Sequence, residues 1–334
     1  MKPTEQLFEL AAGGWIAKAV AVAAELDIAG LLDETPLTHV ELVEATGSSA
    51  DVLLNLLGLL VSRGVFVADV DGRFANNELS TPLIEGRPES MRHLVRWMAG
   101  VYDTAWCGLL PAVRHGGTAF EHQFGLSLYA YLAGSPEAER AFHLAMEDAT
   151  RPTVAELTAH YDFSGVRHIV DVGGGNGGLL KGLLTELPDA TGTCADRREV
   201  CDQASAELAS TDPGFGSRLD FRAADLFSDV PRGKDLYILK NVLHDWNPDS
   251  AQRILHTVRA AMSGPDARLL VIEPLFARGS LPGLQLLKMV ICEEGTQLHA
   301  PEEMQHMAEI AGFRVTRTFP VASGQTVLVC ALDG

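Results

Sequence analysis

The chain has 334 residues, more than a single domain usually holds, so we expect at least two domains that each bury a core. Its formal net charge of −18, from 44 acidic and 26 basic residues, argues against a nucleic acid or an anionic membrane as partner. The five cysteines form no C-x-x-C pair, which favours reduced thiols in a cytoplasmic protein over a zinc site or a disulfide framework.

The first 90 residues are predicted to form a mostly α-helical winged-helix domain. Helical patterns cover residues 4–32, 38–46 and 48–63, and Asp71-Gly72 marks a hairpin between residues 65 and 77. Glycines and charged residues interrupt the N-terminal pattern, so we expect neither a signal peptide nor a membrane span.

Winged helices often bind DNA, but the second helix of this motif does not suit that role. It carries a run of leucines from Leu53 to Leu60, and its one basic residue is Arg63. Such a helix lacks the phosphate contacts on which DNA affinity depends. The leucine-rich face is therefore interpreted as core or subunit interface.

Residues 91–162 are predicted to be a helical linker that is rich in aromatic side chains. An ordinary helical core explains each aromatic residue taken alone. Flat aromatic ligands suit walls built from such side chains. Within the segment, Phe142 and Met146 stand four residues apart and share one helical face.

The first predicted strand of the segment 163–334 is a short buried one at residues 169–172, and it leads into a run of glycines. Asp171, Gly173, Gly175 and Gly177 fit the D-x-G-x-G-x-G pattern of methyltransferases, but three of the glycines from 173 to 178 also fit the G-x-G-x-x-G dinucleotide pattern. Asp196 ends the next predicted strand, where an acid would bind ribose hydroxyls. The glycines alone leave both cofactors open.

A second motif favours the methyltransferase interpretation. The predicted strand at residues 236–239 runs into Lys240 and then L-H-D-W at 243–246, which places these residues at the carboxyl edge of the sheet. L-H-D-W, the glycine turn and Asp225-Leu226-Phe227 together resemble S-adenosylmethionine-dependent small-molecule O-methyltransferases with an N-terminal winged-helix dimerisation domain. That family includes plant phenylpropanoid and bacterial antibiotic-tailoring enzymes, and the resemblance covers nearly the whole chain.

The resemblance implies a fold, a cofactor and a set of site residues. The fold is α/β, a Rossmann-like class I methyltransferase sheet with a terminal antiparallel hairpin at residues 313–321 and 325–332. The chain would be a homodimer through domain 1–90, with a pocket segment at 91–162 and a catalytic domain at 163–334. The residues implied to bind S-adenosyl-L-methionine are Asp171, Gly173, Gly175, Asp196, Asp225, Leu226 and Lys240. Those implied to line the acceptor pocket are Trp106, Phe142, Met146, Met289 and Glu293.

The chemistry requires a base for the acceptor. A phenol with a pKa of about 10 is only ~0.1% ionised at pH 7, whereas imidazole titrates near neutrality. His244 is the predicted general base, and Glu273, at the end of a strand at 269–273, would fix its tautomer. Asp245 is expected to contact cofactor or acceptor. No role is assigned to His299.

The chain also departs from the family. Leu298 stands where many members have a second glutamate, which leaves room for a reaction driven by proximity alone. Glu293 and Glu294 fall near the pocket segment: facing inward they would suit an ammonium-bearing acceptor, and facing outward they would be a solvated turn.

We therefore predict an O-methyltransferase acting on a hydroxyl of a small aromatic specialised metabolite. The nearest alternative is methylation of carbon or nitrogen on a phenolic or amino-acid-derived acceptor, and a more remote one is a relative that binds the cofactor without transferring methyl. A transcription factor is opposed by the leucine-rich helix and the net charge. A nicotinamide dehydrogenase is opposed by L-H-D-W and Asp225-Leu226-Phe227.

Overall fold

The computed structural model describes residues 2–276, 291, 298–321 and 324–333. Contacts between residues divide the chain into two units, Met1–Ala149 and Thr150–Gly334. The division falls inside one long helix, Pro136–His160. The boundaries at residues 90 and 162 stay predictions.

The first unit is mostly helical. Its α-helices are α1 (Pro3–Glu25), α2 (Ile28–Leu31), α3 (His39–Thr46), α4 (Ala50–Ser62), α5 (Arg92–Trp97), α6 (Asp103–Ala105), α7 (Leu109–His115), α8 (Ala119–Phe124), α9 (Leu128–Ala133) and the start of α10 (Pro136–His160). Shorter helical turns are Thr81–Leu83, Met98–Tyr102 and Trp106–Gly108. A three-stranded antiparallel sheet is ordered β1 (Leu37–Thr38), β3 (Arg73–Ala75), β2 (Val67–Ala68).

The winged-helix pattern follows from local signals. Thr38 caps α3 because its hydroxyl accepts the Glu41 N–H at 3.3 Å, while the Glu41 carboxylate accepts the Thr38 N–H at 2.7 Å. Gly72, with φ of 75°, turns the β2–β3 hairpin at the predicted position. On α4, Leu53, Leu57 and Leu60 are buried in the core of this unit.

Helix α1 leaves apolar side chains exposed. Leu7, Phe8, Leu10 and Trp15 are each more than 60% exposed. By length and composition α1 is the one described helix that could by itself cross a membrane, and 22% of its apolar 18-residue stretch is buried. Exposed apolar side chains of this kind also occur on helices that pack against a second subunit.

The second unit is an α/β domain. Its strands are β4 (His168–Val172), β5 (Thr191–Asp196), β6 (Leu219–Ala223), β7 (Leu236–Lys240), β8 (Arg268–Glu273), β9 (Phe313–Val321) and β10 (Gln325–Leu332). Its helices are the end of α10, α11 (Gly178–Glu186), α12 (Arg198–Thr211), α13 (Pro248–Ala261) and α14 (Pro301–Ile310), with 3-10 turns at Pro213–Phe215 and Leu243–Asp245.

The seven strands form one sheet in the order β6-β5-β4-β7-β8-β10-β9. The first five of these are parallel, and β10 runs antiparallel to both β8 and β9. This arrangement confirms the predicted methyltransferase sheet with its terminal hairpin.

Successive side chains of the central strands point to opposite faces of the sheet, and those on both faces are apolar. On β7, Tyr237 and Leu239 belong to one buried cluster, while Leu236 and Ile238 belong to the other. Helices α13 and α14 contribute to the first cluster and α11 to the second. The strands are therefore apolar on both sides, as buried parallel strands require.

Candidate active site

The topology of the sheet places the site. The chain builds outward from β4 to β5 and β6, then crosses back to place β7 on the other side of β4. In open α/β sheets, ligands bind at the carboxyl ends of the strands where the order reverses in this way. The glycine turn follows β4 at this point, and the L-H-D-W segment follows β7.

The glycine turn adopts a conformation that side chains would oppose. Gly173, Gly175 and Gly177 all have positive φ, at 77°, 59° and 77°. A Cβ on Gly173 would meet Val242 Cγ2 at 2.7 Å, whereas a Cβ on Gly175 would meet nothing within 4 Å. The turn therefore packs closely on one side and leaves open space at Gly175, which fits a bound cofactor.

Two of the predicted cofactor-binding acids lie at the ends of neighbouring strands. Asp196 ends β5, and its Oδ2 accepts the Gly175 N–H at 2.9 Å. Asp225 follows β6 and holds its own turn, since its carboxylate accepts the Phe227 N–H at 3.0 Å and the Ser228 hydroxyl at 2.8 Å. These hydrogen bonds lower the pKa of Asp225, the one to Phe227 most strongly.

A buried acid and a lysine lie beneath the glycine turn. Asp171 is 2% exposed, and burial raises its pKa to about 7, an effect that Lys240 opposes and Asp196 reinforces. Lys240, at the end of β7, donates to the Thr150 hydroxyl at 3.2 Å. The structure thus brings both predicted residues to the cofactor edge of the sheet.

The turn after β7 is shaped around Glu273. Asn241 has φ of 57°, a left-handed conformation that asparagine tolerates better than most residues. Beyond it, the N–H groups of Val242 and Leu243 donate to Glu273 Oε1 at 2.9 and 2.8 Å. Glu273 is 1% exposed, so these bonds stabilise a carboxylate that has little contact with water.

The other oxygen of Glu273 holds the predicted base. His244 Nδ1 lies 2.5 Å from Glu273 Oε2. Because the carboxylate can only accept, this contact places a proton on Nδ1, and in the neutral ring the lone pair is then on Nε2. His244 Nε2 lies 3.3 Å from Asp245 Oδ1, and the side chain of His244 is 12% exposed. Glu273, His244 and Asp245 therefore form one cluster.

Aromatic packing joins the two sequence motifs. The Trp246 ring of L-H-D-W meets the Phe227 ring edge to face, with centroids 4.8 Å apart. Leu226 Cδ1 lies 3.8 Å from the position of a Cβ on Gly173. The segments after β4, β6 and β7 thus meet at one edge of the sheet.

The predicted acceptor-lining residues divide into two groups. Trp106, Phe142 and Met146 lie in the first unit, where Phe142 packs against Trp97 with ring centroids 5.4 Å apart. Met289 and Glu293 lie outside the described residues, as does Glu294. The acceptor role of all five stays a prediction.

Sequence reasoning missed two residues at this edge. The contact of Thr150 with Lys240 spans 90 positions, so no local pattern in the sequence indicates it. His299 was assigned no role, yet it is buried beside the end of β8, and its backbone carbonyl accepts the Phe276 N–H at 3.2 Å. Within the described ranges no group of three or more His, Cys, Asp or Glu side chains could hold a metal ion.

Two family models match the chain. One describes an O-methyltransferase domain and matches residues 106–314, and the other describes an O-methyltransferase dimerisation domain and matches residues 8–86.

Curated relatives are similar over most of the chain. A mitomycin biosynthesis 6-O-methyltransferase from Streptomyces lavendulae is 35% identical over 97% of this chain and 93% of its own. A phenazine-1-carboxylate N-methyltransferase from Pseudomonas aeruginosa is 34% identical over 80% of this chain and 78% of its own. The structure of human N-acetylserotonin methyltransferase in complex with S-adenosylmethionine superposes with a TM-score of 0.87 at 25% identity, covering 100% and 99% of the two chains. The chain therefore belongs to the O-methyltransferase family with an N-terminal dimerisation domain and is an S-adenosylmethionine-dependent methyltransferase.

Proposed function

We propose that the protein methylates a hydroxyl group of a small aromatic specialised metabolite, with His244 as general base. The observation that carries this proposal is the hydrogen bond from His244 to the buried carboxylate of Glu273, beside the glycine turn. The relative named as a mitomycin biosynthesis 6-O-methyltransferase supports the methylation of oxygen in a biosynthetic pathway.

The proposed chemistry is proton removal coupled to methyl transfer. When bound at the glycine turn, S-adenosylmethionine would supply an electrophilic methyl group, and its C–S bond would break to leave a neutral thioether. The lone pair on His244 Nε2 takes the acceptor hydroxyl proton as the oxygen attacks, and Glu273 stabilises the imidazolium through Nδ1–H. Asp245 Oδ1, at 3.3 Å from Nε2, then lies on the side of the ring that gains the proton.

The proposal is tested with methyl-labelled S-adenosylmethionine and a panel of phenols, aminophenols and aromatic amino acids. NMR of the product locates the labelled atom. We expect label on oxygen and a loss of roughly 10²- to 10⁴-fold in kcat for His244→Ala, the usual contribution of a positioned base. His256→Ala, an exposed histidine on α13, is the matched control and should retain activity. Full activity of His244→Ala would refute the base role.

Methylation of nitrogen is the second candidate, because the Pseudomonas relative is named as an N-methyltransferase. A neutral aromatic amine already has a free lone pair and needs no base before it attacks. Label on nitrogen, with an activity that His244→Ala reduces only slightly, would therefore favour this candidate over the first.

The apolar face of α1 is proposed as part of a homodimer interface. Leu10 and Trp15 are 73% and 69% exposed, and the matched dimerisation domain includes both residues. A cytoplasmic location suits the cysteines, since Cys107, Cys194, Cys201 and Cys330 are all free thiols.

A further inference from the structure

His299 lies at the same end of the sheet as the proposed base. Its carbonyl accepts the N–H of Phe276, which follows Glu273 by three residues at the end of β8. Three extended residues span about 10 Å, so the backbone of His299 is close to the strand end that carries Glu273.

The imidazole of His299 is buried without a full set of hydrogen bonds. The residue is 5% exposed, and its Nε2 has no hydrogen-bond partner in the described part of the chain. A buried polar atom left in this way costs about 1–3 kcal/mol, and such atoms are rare in folded proteins. A function that needs the atom would explain why it is retained.

Electrostatics connect this ring to the catalytic cluster. Burial lowers the pKa of His299, Glu273 and Glu303 oppose that shift, and His244 adds to it. The ring therefore lies within electrostatic range of the Glu273–His244 pair and is neutral near pH 7. A neutral imidazole offers one donor and one acceptor nitrogen.

Glu273 is not the partner that His299 lacks. Its oxygens accept the N–H groups of Val242 and Leu243 and the ring of His244, and no hydrogen bond joins it to His299 Nε2. Within the described residues nothing pairs with this atom, which leaves it available to a molecule that enters the cluster.

We propose that His299 is a further acceptor-binding residue, whose Nε2 forms a hydrogen bond with a second polar group of the aromatic acceptor, adjacent to the group that receives the methyl. The inference rests on the proposed function, because it places the acceptor at His244. The acceptor class is thereby narrowed to aromatic rings with two neighbouring polar substituents, such as vicinal diols and aminophenols. Sites built to bond a substrate hydroxyl discriminate strongly against analogues that lack it.

The test compares 1,2-dihydroxynaphthalene with 1-naphthol as methyl acceptors. We expect wild type to prefer the diol by about 10- to 100-fold in kcat/KM, the equivalent of one buried hydrogen-bonding group. His299→Leu should reduce that preference to about twofold, mainly through a lower rate on the diol. His299→Gln, which keeps a donor and an acceptor, should retain part of it. His306→Leu, at an exposed position on α14, is the matched control and should retain all of it.

The melting temperatures of the His299 variants distinguish a role in acceptor binding from a merely structural one. His299→Leu removes an unpaired buried polar atom, so without acceptor its melting temperature should equal or exceed that of wild type. A large fall in melting temperature for both His299→Leu and His299→Gln would assign the residue to structure and overturn the proposal.

The ratio of kcat/KM for the diol to kcat/KM for 1-naphthol also tests the role of His299 independently of the base role of His244. If His244 is not the base, His244→Ala leaves both rates unchanged, and the effect of His299→Leu on the ratio still decides the inference. Three results would each overturn the role of His299. They are an unchanged ratio in His299→Leu, no preference for the diol in wild type, and no turnover of either 1,2-dihydroxynaphthalene or 1-naphthol by wild type.

Discussion

Replacing Glu273 by glutamine should abolish the proposed base function of His244 while leaving the fold in place. The two side chains have nearly the same shape, but one carboxylate oxygen becomes an NH₂ group. In the native protein Oε1 accepts two backbone N–H groups, and Oε2 accepts from His244. The consequence depends on which way the new amide points.

Hydrogen-bond energies decide that orientation. If the NH₂ group faced Val242 and Leu243, two buried N–H groups would lose their acceptor at about 1–3 kcal/mol each, or about 2–6 kcal/mol in all. The amide oxygen therefore keeps the backbone bonds, and NH₂ faces His244 Nδ1. That ring nitrogen must then accept, which moves the imidazole proton to Nε2 and removes the lone pair that takes the acceptor proton.

The assay measures initial rates at saturating S-adenosylmethionine as a function of pH. We expect kcat to fall roughly 10²- to 10⁴-fold and the limb of the profile that rises with pH to disappear, with cofactor affinity by calorimetry unchanged. Glu302→Gln, an exposed glutamate at the start of α14, is the control. Activity of Glu273→Gln within threefold of wild type would refute this reasoning.

Three further predictions concern the cofactor turn and the N-terminal domain. The pKa of Asp171 is raised to about 7, so the folded state binds this proton more tightly than the unfolded state does. The unfolding free energy therefore falls as pH rises from about 4 to 7. Between pH 5 and pH 8, wild type should lose about 2–3 kcal/mol more unfolding free energy than Asp171→Asn, measured by chemical denaturation; equal losses would contradict the shift. Gly173→Ala, whose Cβ would meet Val242 Cγ2 at 2.7 Å, should weaken S-adenosylmethionine binding about tenfold in calorimetry, from about 1–2 kcal/mol of strain. Gly165→Ala, at a similar φ with open space around it, should not. Trp15→Glu should shift light-scattering mass from dimer to monomer, and an unchanged dimer would place the interface elsewhere.

The elements of the second unit could largely be predicted, because its strands are short apolar runs bounded by turn residues. Strands β9 and β10 have the predicted bounds. Helix α12 (Arg198–Thr211) is harder to recognise, because its two ends are mostly polar and add little to the apolar period that indicates a helix.

The candidate site was predictable where its residues are consecutive in the sequence. The glycine turn and L-H-D-W are local patterns, and each specifies its own turn. His299 was not predictable, because its burial depends on how the chain returns to the end of β8 before α14. The contact of Lys240 with Thr150 likewise exists only once helix α10 packs in the second unit. Asn241 did carry a signal, since asparagine after a strand is suited to a left-handed turn.

The hydrogen bond from the Gly175 N–H to Asp196 closes the cofactor turn from within the protein. The turn and the acid that would meet the ribose are thereby held in register by the fold itself. Most of the conformational entropy of this segment is lost during folding, before any ligand arrives. Binding of the nucleoside then requires little further ordering of the turn. The association rate should therefore be limited by diffusion into the crevice and not by a conformational change of the loop.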